Sequence, residues 1–299
     1  MTSTRELRLR VRSIKNLAQV TRALETVSAS YVRRAVQANL ATRPYAEKSW
    51  KVLVHLARQP GHNALHPLLK QRSNVRRVLV VMVSGDRGLA GAYNMNILRS
   101  TLNYFNKFKA PVSYVAVGAK GRDLLLRRHK EIRAEFSQLP NPPTYRDVSA
   151  IGRLVVDDYI RGGFDQVYIT YTEFINMASQ RVVIRKLLPL EVTYGKAEAE
   201  EDLFNVTHHR SQAVFTFEPD QDDLLNSIVP RYTGMQIYQA ILTSQASEHA
   251  ARRLAMHNAT DSANDLINAL QLEYNKLRQQ LITGEMLDIT GGSEALRKD

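Results

Sequence analysis

Apolar residues recur every three or four positions at both ends of the chain, which is the spacing of one face of an α-helix. The N-terminal pattern runs through Leu7, Val11, Ile14, Leu17, Val20 or Thr21, Leu24, Val27 or Ser28, and Tyr31. Neither Pro nor Gly occurs before Pro44. A helix is therefore predicted from about residue 4, with Pro44 expected to bend or interrupt it.

A second helical pattern extends from about Asp222 to Ile289, where only Pro230 and Gly234 argue against a helix. Its stripe alternates four and three residues apart through Leu242, Ala246, His249, Arg253, Met256, Thr260, Ala263, Ile267, Leu270, Tyr274, Leu277 and Leu281. A helix of about 55 residues would be roughly 80 Å long, beyond the ordinary globular range. A middle domain of about 140 residues is too small to bury both stripes, so the terminal helices are predicted to pair as an antiparallel coiled coil.

Between the helices the apolar period changes. The run VRRVLVVMVSG is typical of a buried strand that stops at Gly85, and strand-like and helix-like segments alternate after it. The predicted fold class is therefore α/β, with a long antiparallel coiled coil of the N- and C-terminal helices and a Rossmann-like α/β domain. The predicted boundaries are residues 1–60, 76–218 and 222–290. An acidic loop, TYGKAEAEEDLF, and a last strand, QAVFTFEPD, close the middle domain.

The predicted seam between the terminal helices is weak, because Thr, Ser, Ala, His and Arg occupy positions where Leu or Ile would stabilise most. The C-terminal end is instead rich in apolar residues, with Met286, Leu287 and Ile289 spread around the helix. A long rod with such a seam and such an end is expected to be surrounded by a partner.

Composition narrows the class of protein. The 299 residues are 44% hydrophobic, and they include no cysteine, which excludes disulfides, thiol nucleophiles and cysteine-ligated metals. No secretory signal is recognised and no window approaches a membrane span. The net charge is +12, and Arg5 to Lys51 holds eleven Lys or Arg against three acids. That basic segment fits nucleic acid, an anionic membrane, an acidic partner or a solvated helix face.

Candidate chemistry is sparse. SGDRGLAGAYN is the glycine-rich stretch between a strand and a helix, but its spacing is not G-x-G-x-x-G and it lacks the P-loop Lys. The histidines lack zinc-site spacing, and no catalytic constellation is found. A tight turn is the default interpretation of SGDRGLAGAYN. A nucleic-acid-binding coiled-coil protein and a nucleotide-dependent α/β enzyme with helical appendages stay as alternatives.

Three stretches closely resemble the gamma subunit of F-type ATP synthases: residues 14–35, residues 84–94 and, above all, residues 244–292. The resemblance implies a central shaft of paired terminal helices inside a hexamer of alpha and beta subunits. The α/β domain would be a foot that binds the epsilon subunit and the membrane c-ring. Proton or sodium flow would turn ring and shaft, and ATP or ADP and magnesium would be held by the beta subunits, with no active site or cofactor on this chain.

The resemblance also assigns roles to individual residues. Those expected to contact the alpha and beta subunits are Leu24, Asp86, Arg87, Arg278, Gln279 and Thr283. Phe215 and Glu218 are expected to contact the c-ring, and Met286, Leu287 and Ile289 are expected to sit in an apolar collar. The chain would lie peripherally at the cytoplasmic face of a bacterial-type membrane and bind no nucleic acid.

Overall fold

The computed structural model describes residues 4–57, 67–72, 74–190 and 221–296. In chain order the elements are α1 (Thr4–Ala57), β1 (Val78–Val83), α2 (Tyr93–Phe105), β2 (Val112–Val117), α3 (Ala119–Arg127), β3 (Ile132–Phe136), α4 (Tyr145–Ile160), β4 (Gln166–Phe174), β5 (Gln180–Leu188) and α5 (Gln221–Leu296). The predicted fold class, long terminal helices that pack together plus a mixed α/β sheet domain, is confirmed. The predicted acidic loop and last strand lie outside the described residues.

The sheet has the strand order β3-β2-β1-β4-β5, in which β1 to β4 are parallel and β5 runs antiparallel to β4. All six residues of β1 are buried, as expected for a central parallel strand covered on both faces. Val78, Val80 and Met82 pack towards α2 and α3. Leu79, Val81 and Val83 belong to a second cluster that includes α4 and part of α5.

Strand β3 is absent from the sequence-based prediction. It is short and lies at an edge of the sheet, and its burial alternates between half-buried and exposed. Two of its five residues are charged and form ion pairs, Arg133 with Asp158 and Glu135 with Arg122. An edge strand with such partners lacks the apolar run that marks a central strand.

The chain divides into two compact units. Unit 1 comprises Met1–Ser28 and Arg252–Asp299, and unit 2 comprises Ala29–Ala251. In unit 2, α1 and α5 pair antiparallel: Asn39 Nδ2 donates to Thr243 Oγ1 at 3.0 Å, and Gln239 Nε2 donates to Thr42 Oγ1 at 3.1 Å. These contacts lie just before Pro44, and α1 continues through the proline rather than being interrupted. Tertiary contacts of this kind offset the cost of about 3 kcal/mol of an interior proline.

In unit 1 the same two helices also pair antiparallel, but two seam positions differ from prediction. Ala18, 9% exposed, lies in the seam in place of Leu17, which is 57% exposed. Leu281 is 53% exposed and was wrongly placed in the seam. The buried positions of α1 include Leu7, Val11, Ala18, Thr21 and Ser28. Together with the half-buried Ile14 and Glu25, they alternate by four and three as a coiled-coil seam requires.

Candidate functional site

The helix pairing in unit 1 has a constant register. Arg8 Nη2 donates to Tyr274 Oη at 3.0 Å, and Glu25 faces the imidazole of His257 at 3.3 Å. Between these pairs both helices advance seventeen residues, from 8 to 25 and from 274 back to 257. Between these pairs, about one helical turn from the second, the buried hydroxyls of Thr21 and Thr260 form a hydrogen bond of 2.7 Å. A polar pair inside an apolar seam favours this register, because a shifted register would lose the hydrogen bond between the two buried hydroxyls.

In this register Thr4, the first described residue of α1, falls level with about residue 278. Helix α5 continues to Leu296, which adds about 27 Å at 1.5 Å per residue. Along this extension Met286, Leu287 and Ile289 are 64%, 67% and 73% exposed. Three large apolar side chains are thus exposed within four residues, a clustering that is characteristic of interaction surfaces.

Arg278, Gln279 and Thr283 lie where the pairing with α1 ends. All three are exposed, and Thr283 Oγ1 donates to the Gln279 carbonyl at 2.9 Å. Gln279 and Thr283 share one face of the helix because they are four residues apart. Within the described part of the chain, no ion pair or hydrogen bond involves the side chain of Arg278 or Gln279, so both are available to another molecule.

A second apolar stripe on α1 was missed from the sequence, because Leu17, Val20 and Val27 were considered only as seam residues and Leu9 was not singled out. Leu9, Val20 and Val27 are exposed, with Leu17 beside them. At 100° per residue they lie roughly opposite the seam. Leu24, a predicted contact residue, is half-buried beside this stripe. In unit 1, α1 is therefore apolar on its seam and on its outer face, with exposed arginines and lysine between them.

The glycine-rich loop after β1 supplies hydrogen-bond acceptors for the first N–H groups of α3. Asp86 Oδ1 accepts from the Ala119 N–H at 2.9 Å, the Gly85 carbonyl from Lys120 N–H at 3.0 Å, and Ser84 Oγ from Gly121 N–H at 2.9 Å. The first N–H groups of a helix have no partner within the helix, and in phosphate-binding proteins they bind the phosphate. Here this loop accepts their hydrogen bonds instead. Asp86 Oδ2 also accepts from Gln138 N–H at 3.0 Å.

The same loop leaves little space for a phosphate, and the charge beside it is negative. A Cβ placed on Gly85 would lie 2.7 Å from the carboxyl carbon of Glu248, a buried residue of α5. The N–H of Gly85 already donates to Asn94 Oδ1 at 2.9 Å. A carboxylate at the position where a phosphate would approach disfavours an anion, which argues against the nucleotide-dependent enzyme.

The tip of this loop faces solvent. Arg87 is exposed, and Leu89 is 67% exposed with φ at 61°. A leucine in the left-handed region carries strain that persists only where the surrounding structure imposes it. Leu89 was not singled out from the sequence. Its strained backbone conformation, which is visible only in the structure, is what distinguishes it. The loop therefore presents Arg87 and Leu89 outward, while Asp86 points inward.

Two substitutions separate these roles. Asp86→Ala is expected to destabilise unit 2 by about 1–3 kcal/mol, because the N–H groups of Ala119 and Gln138 lose their acceptor. Arg87→Ala is expected to leave stability within about 0.5 kcal/mol. Urea unfolding followed by the fluorescence of Trp50, which stacks on Tyr232 in unit 2 at 5.4 Å, measures both. Equal stability of the two variants would contradict the bracing role of Asp86.

The predicted c-ring contacts, Phe215 and Glu218, lie outside the described residues. Across the ranges that the structure describes, no three His, Cys, Asp or Glu side chains form a group that could hold a metal ion. A helix long and apolar enough to cross a membrane is likewise not found in those ranges.

Comparisons with known proteins agree on one family. A family model described as ATP synthase matches residues 3–296. The ATP synthase gamma chain of Dehalococcoides mccartyi strain 195 is 42% identical over 300 residues, covering 99% of this chain and 100% of the relative. The gamma chain of Roseiflexus sp. strain RS-1 is 41% identical and covers 99% of both chains.

Solved structures show the same architecture. A chain of the Tetrahymena thermophila mitochondrial ATP synthase central stalk and c-ring matches with a TM-score of 0.60 and 26% identity, over 80% of this chain and 99% of that one. A chain of the Euglena gracilis mitochondrial ATP synthase OSCP/F1/c-ring structure matches with a TM-score of 0.66 and 21% identity, over 98% and 94%. At 21% identity the second match shows the fold.

Proposed function

The chain belongs to the ATP synthase gamma chain family, and from this premise we propose that its paired terminal helices turn inside a ring of alpha and beta subunits. The chain is a central stalk subunit of a membrane-associated ATP synthase. The finer assignments, which subunits are touched and by which residues, follow from the surfaces described above.

The observation that carries the proposal is the exposed apolar surface of unit 1. The extension of α5 beyond residue 278 and the outer stripe of α1 leave large aliphatic side chains in water. Fully covering one such side chain contributes roughly 1.5–3 kcal/mol. An apolar collar around Met286, Leu287 and Ile289, together with a partner against Leu24 and the exposed stripe beside it, would cover this surface.

Polar contacts with the stator are assigned to Arg278, Gln279 and Thr283, where α5 leaves its partner helix. At the glycine-rich loop the contact is assigned to Arg87, because both carboxylate oxygens of Asp86 bond within the chain. Epsilon and c-ring contacts are assigned to the sheet domain, with Phe215 and Glu218 as candidates. We propose that the chain lies, within this assembly, at the cytoplasmic face of the membrane.

The coupling mechanism is selection among conformations. Three equivalent beta subunits bind nucleotide differently only if the shaft contacts them differently. Moving one site from a hundredfold preference for one state to the reverse requires about 5.5 kcal/mol of differential contact. No single residue supplies this, so the coupling is spread along the shaft. Nucleotide and magnesium belong to the beta subunits, and this chain contributes contact energy without a catalytic group.

Co-expression with alpha and beta subunits tests the proposal. The chain is expected to co-purify with both and to be required for sustained ATP hydrolysis. Absence of co-purification, or hydrolysis at the same rate without the chain, would refute the shaft role. Salt-sensitive binding to random-sequence DNA or RNA in place of this assembly would favour the nucleic-acid-binding alternative.

A further inference from the structure

Two loops lie side by side at the edge of the sheet where the parallel strands end. One is the glycine-rich loop after β1, residues 84–92, and the other is the hairpin tip between β4 and β5, residues 175–179. We call the two segments together the carboxyl edge. Strands β1 and β4 are parallel neighbours, with Met82 opposite Thr170. Because β4 continues to Phe174, the hairpin tip projects about 10 Å beyond the end of β1 at 3.3 Å per residue.

One turn of α5 supports both loops. Tyr93 Oη, just after the glycine-rich loop, shares a hydrogen bond of 2.7 Å with Ser244 Oγ. The N–H of Thr172 donates to the same Ser244 Oγ at 3.4 Å, and Ser247 Oγ donates to the Thr172 carbonyl at 3.0 Å. Thr172 is 4% exposed, and both serines are fully buried. The two loops are therefore held in place by one buried hydrogen-bond network.

The hairpin tip is also held by its own side chains. Asn176 Oδ1 accepts from the N–H groups of Ala178 and Ser179 at 2.9 and 2.8 Å, and Asn176 N–H donates to the Ser179 carbonyl at 3.1 Å. Such a side-chain turn fixes the local backbone. Ile175, immediately before this turn, is 52% exposed. An apolar side chain on a fixed backbone loses little conformational entropy when a partner binds it.

The carboxyl edge presents two large apolar side chains and one cation to solvent. Leu89 is 67% exposed, Ile175 is 52% exposed, and Arg87 is exposed. The other charged residue of the two segments is Asp86, and both of its carboxylate oxygens accept hydrogen bonds within the chain. An exposed arginine with apolar neighbours is typical of protein interfaces. Lipid headgroups and nucleic acid instead require several clustered cations.

The carboxyl edge is also the part of unit 2 from which the long helices leave. Helix α5 passes into unit 1 after Ala251, three residues beyond Glu248. The Glu248 carboxylate lies beside Gly85, where an added Cβ would come 2.7 Å from its carboxyl carbon. On α1, Tyr31 stacks on His249 with ring centroids 4.8 Å apart. A partner that surrounds the helices just beyond this point is therefore adjacent to the carboxyl edge.

We propose that the hairpin tip, through Ile175, joins Leu89 and Arg87 in one docking surface for the ring of alpha and beta subunits. The choice of this partner rests on the proposed function. The matching surface on the ring is a carboxylate that pairs with Arg87 and is flanked by apolar side chains that cover Leu89 and Ile175. The stator contact at the foot thus extends from the glycine-rich loop to a second loop that has no charge.

Cysteine labelling tests this docking surface, because the chain has no cysteine of its own. Ile175→Cys and Leu126→Cys are compared in the full chain, alone and assembled with alpha and beta subunits without epsilon or c-ring. Maleimide labelling of Ile175→Cys is expected to slow about tenfold or more on assembly, because the interface excludes solvent. Leu126, 54% exposed near the end of α3, is the matched control, and labelling of its variant is expected to change less than about twofold.

A benzophenone maleimide attached to Ile175→Cys identifies the partner, and a cross-link to an alpha or beta subunit is expected. Unchanged labelling of Ile175→Cys on assembly, equal protection of Leu126→Cys, or a cross-link only to a second copy of this chain would overturn the docking surface. Met286→Cys separates this result from failure of the shaft role. Protection of Met286→Cys without protection of Ile175→Cys would refute the docking surface alone, whereas labelling of both at unchanged rates would refute the shaft role as well.

Discussion

Arg278→Ala combined with Gln279→Ala is expected to lower ATP hydrolysis by the assembled complex at least tenfold without changing the stability of the chain. Both side chains are exposed where α5 leaves α1. Truncating one partner of a hydrogen-bonded charge pair at an interface costs about 2 kcal/mol or more. A loss of that size in the contact that biases a beta subunit corresponds to a tenfold or larger shift in its conformational equilibrium.

The matched control is Asn275→Ala with Lys276→Ala, two exposed residues one turn earlier, beside the part of α5 that is still paired with α1. This control is expected to keep more than half of the hydrolysis rate. A fall in the thermal unfolding midpoint of the Arg278 and Gln279 variant would assign those residues a structural role. A comparable loss of hydrolysis in both variants would mean that this stretch of α5 tolerates no truncation.

The seam of the terminal helices shows how much of the helix packing the apolar pattern of the sequence predicts. Eleven of the twelve predicted α5 positions are buried or half-buried. A strict alternation of three and four residues over many turns defines a single face of the helix, so the pattern identifies the buried face. On α1 the reading favoured Leu17 over Ala18 since leucine is the larger apolar residue. The structure turns Leu17 outward, and an apolar residue facing away from the seam is what a surrounding partner requires. Hydrophobicity alone does not separate these two uses.

The glycine-rich loop shows what the sequence pattern does not predict. The sequence correctly favoured a tight turn over a phosphate site, and the resemblance gave Asp86 and Arg87 one shared role. The structure gives Asp86 partners at Ala119 and Gln138, 33 and 52 residues away. Contacts of such long sequence separation leave no periodic signal, so the division of labour between Asp86 and Arg87 is visible only in the folded chain.

Gly118→Ala is expected to have the largest effect on stability, destabilising unit 2 by about 3–5 kcal/mol. Gly118 has φ at 102°, a conformation that a residue with a Cβ adopts only under strain of about 1–3 kcal/mol. Its Cβ would lie 2.8 Å from both the carbonyl carbon and the Oγ of Ser84, with the Ser84 carbonyl oxygen closer still. Two of these atoms are backbone at the end of the buried β1, so they cannot rotate away.

The contact matters because Ser84 holds three elements together. Its Oγ donates to the Val117 carbonyl at 3.0 Å and accepts from Gly121 N–H at 2.9 Å. Displacing Ser84 therefore disturbs the ends of β1 and β2 and the start of α3 at once. Overpacking in a rigid site costs a further 1–3 kcal/mol or so. With the backbone strain the sum is about 2–6 kcal/mol, a range centred on the expected loss.

Gly88→Ala is the matched control, since no atom lies within 4 Å of its added Cβ and its φ is not in the strained positive range. It is expected to change stability by less than about 1 kcal/mol. Thermal unfolding followed by Trp50 fluorescence should show Gly118→Ala melting about 10 °C or more below the parent chain. A midpoint within two degrees of the Gly88→Ala variant would mean that Ser84 relaxes without cost, and that the junction of β1, β2 and α3 is not rigid.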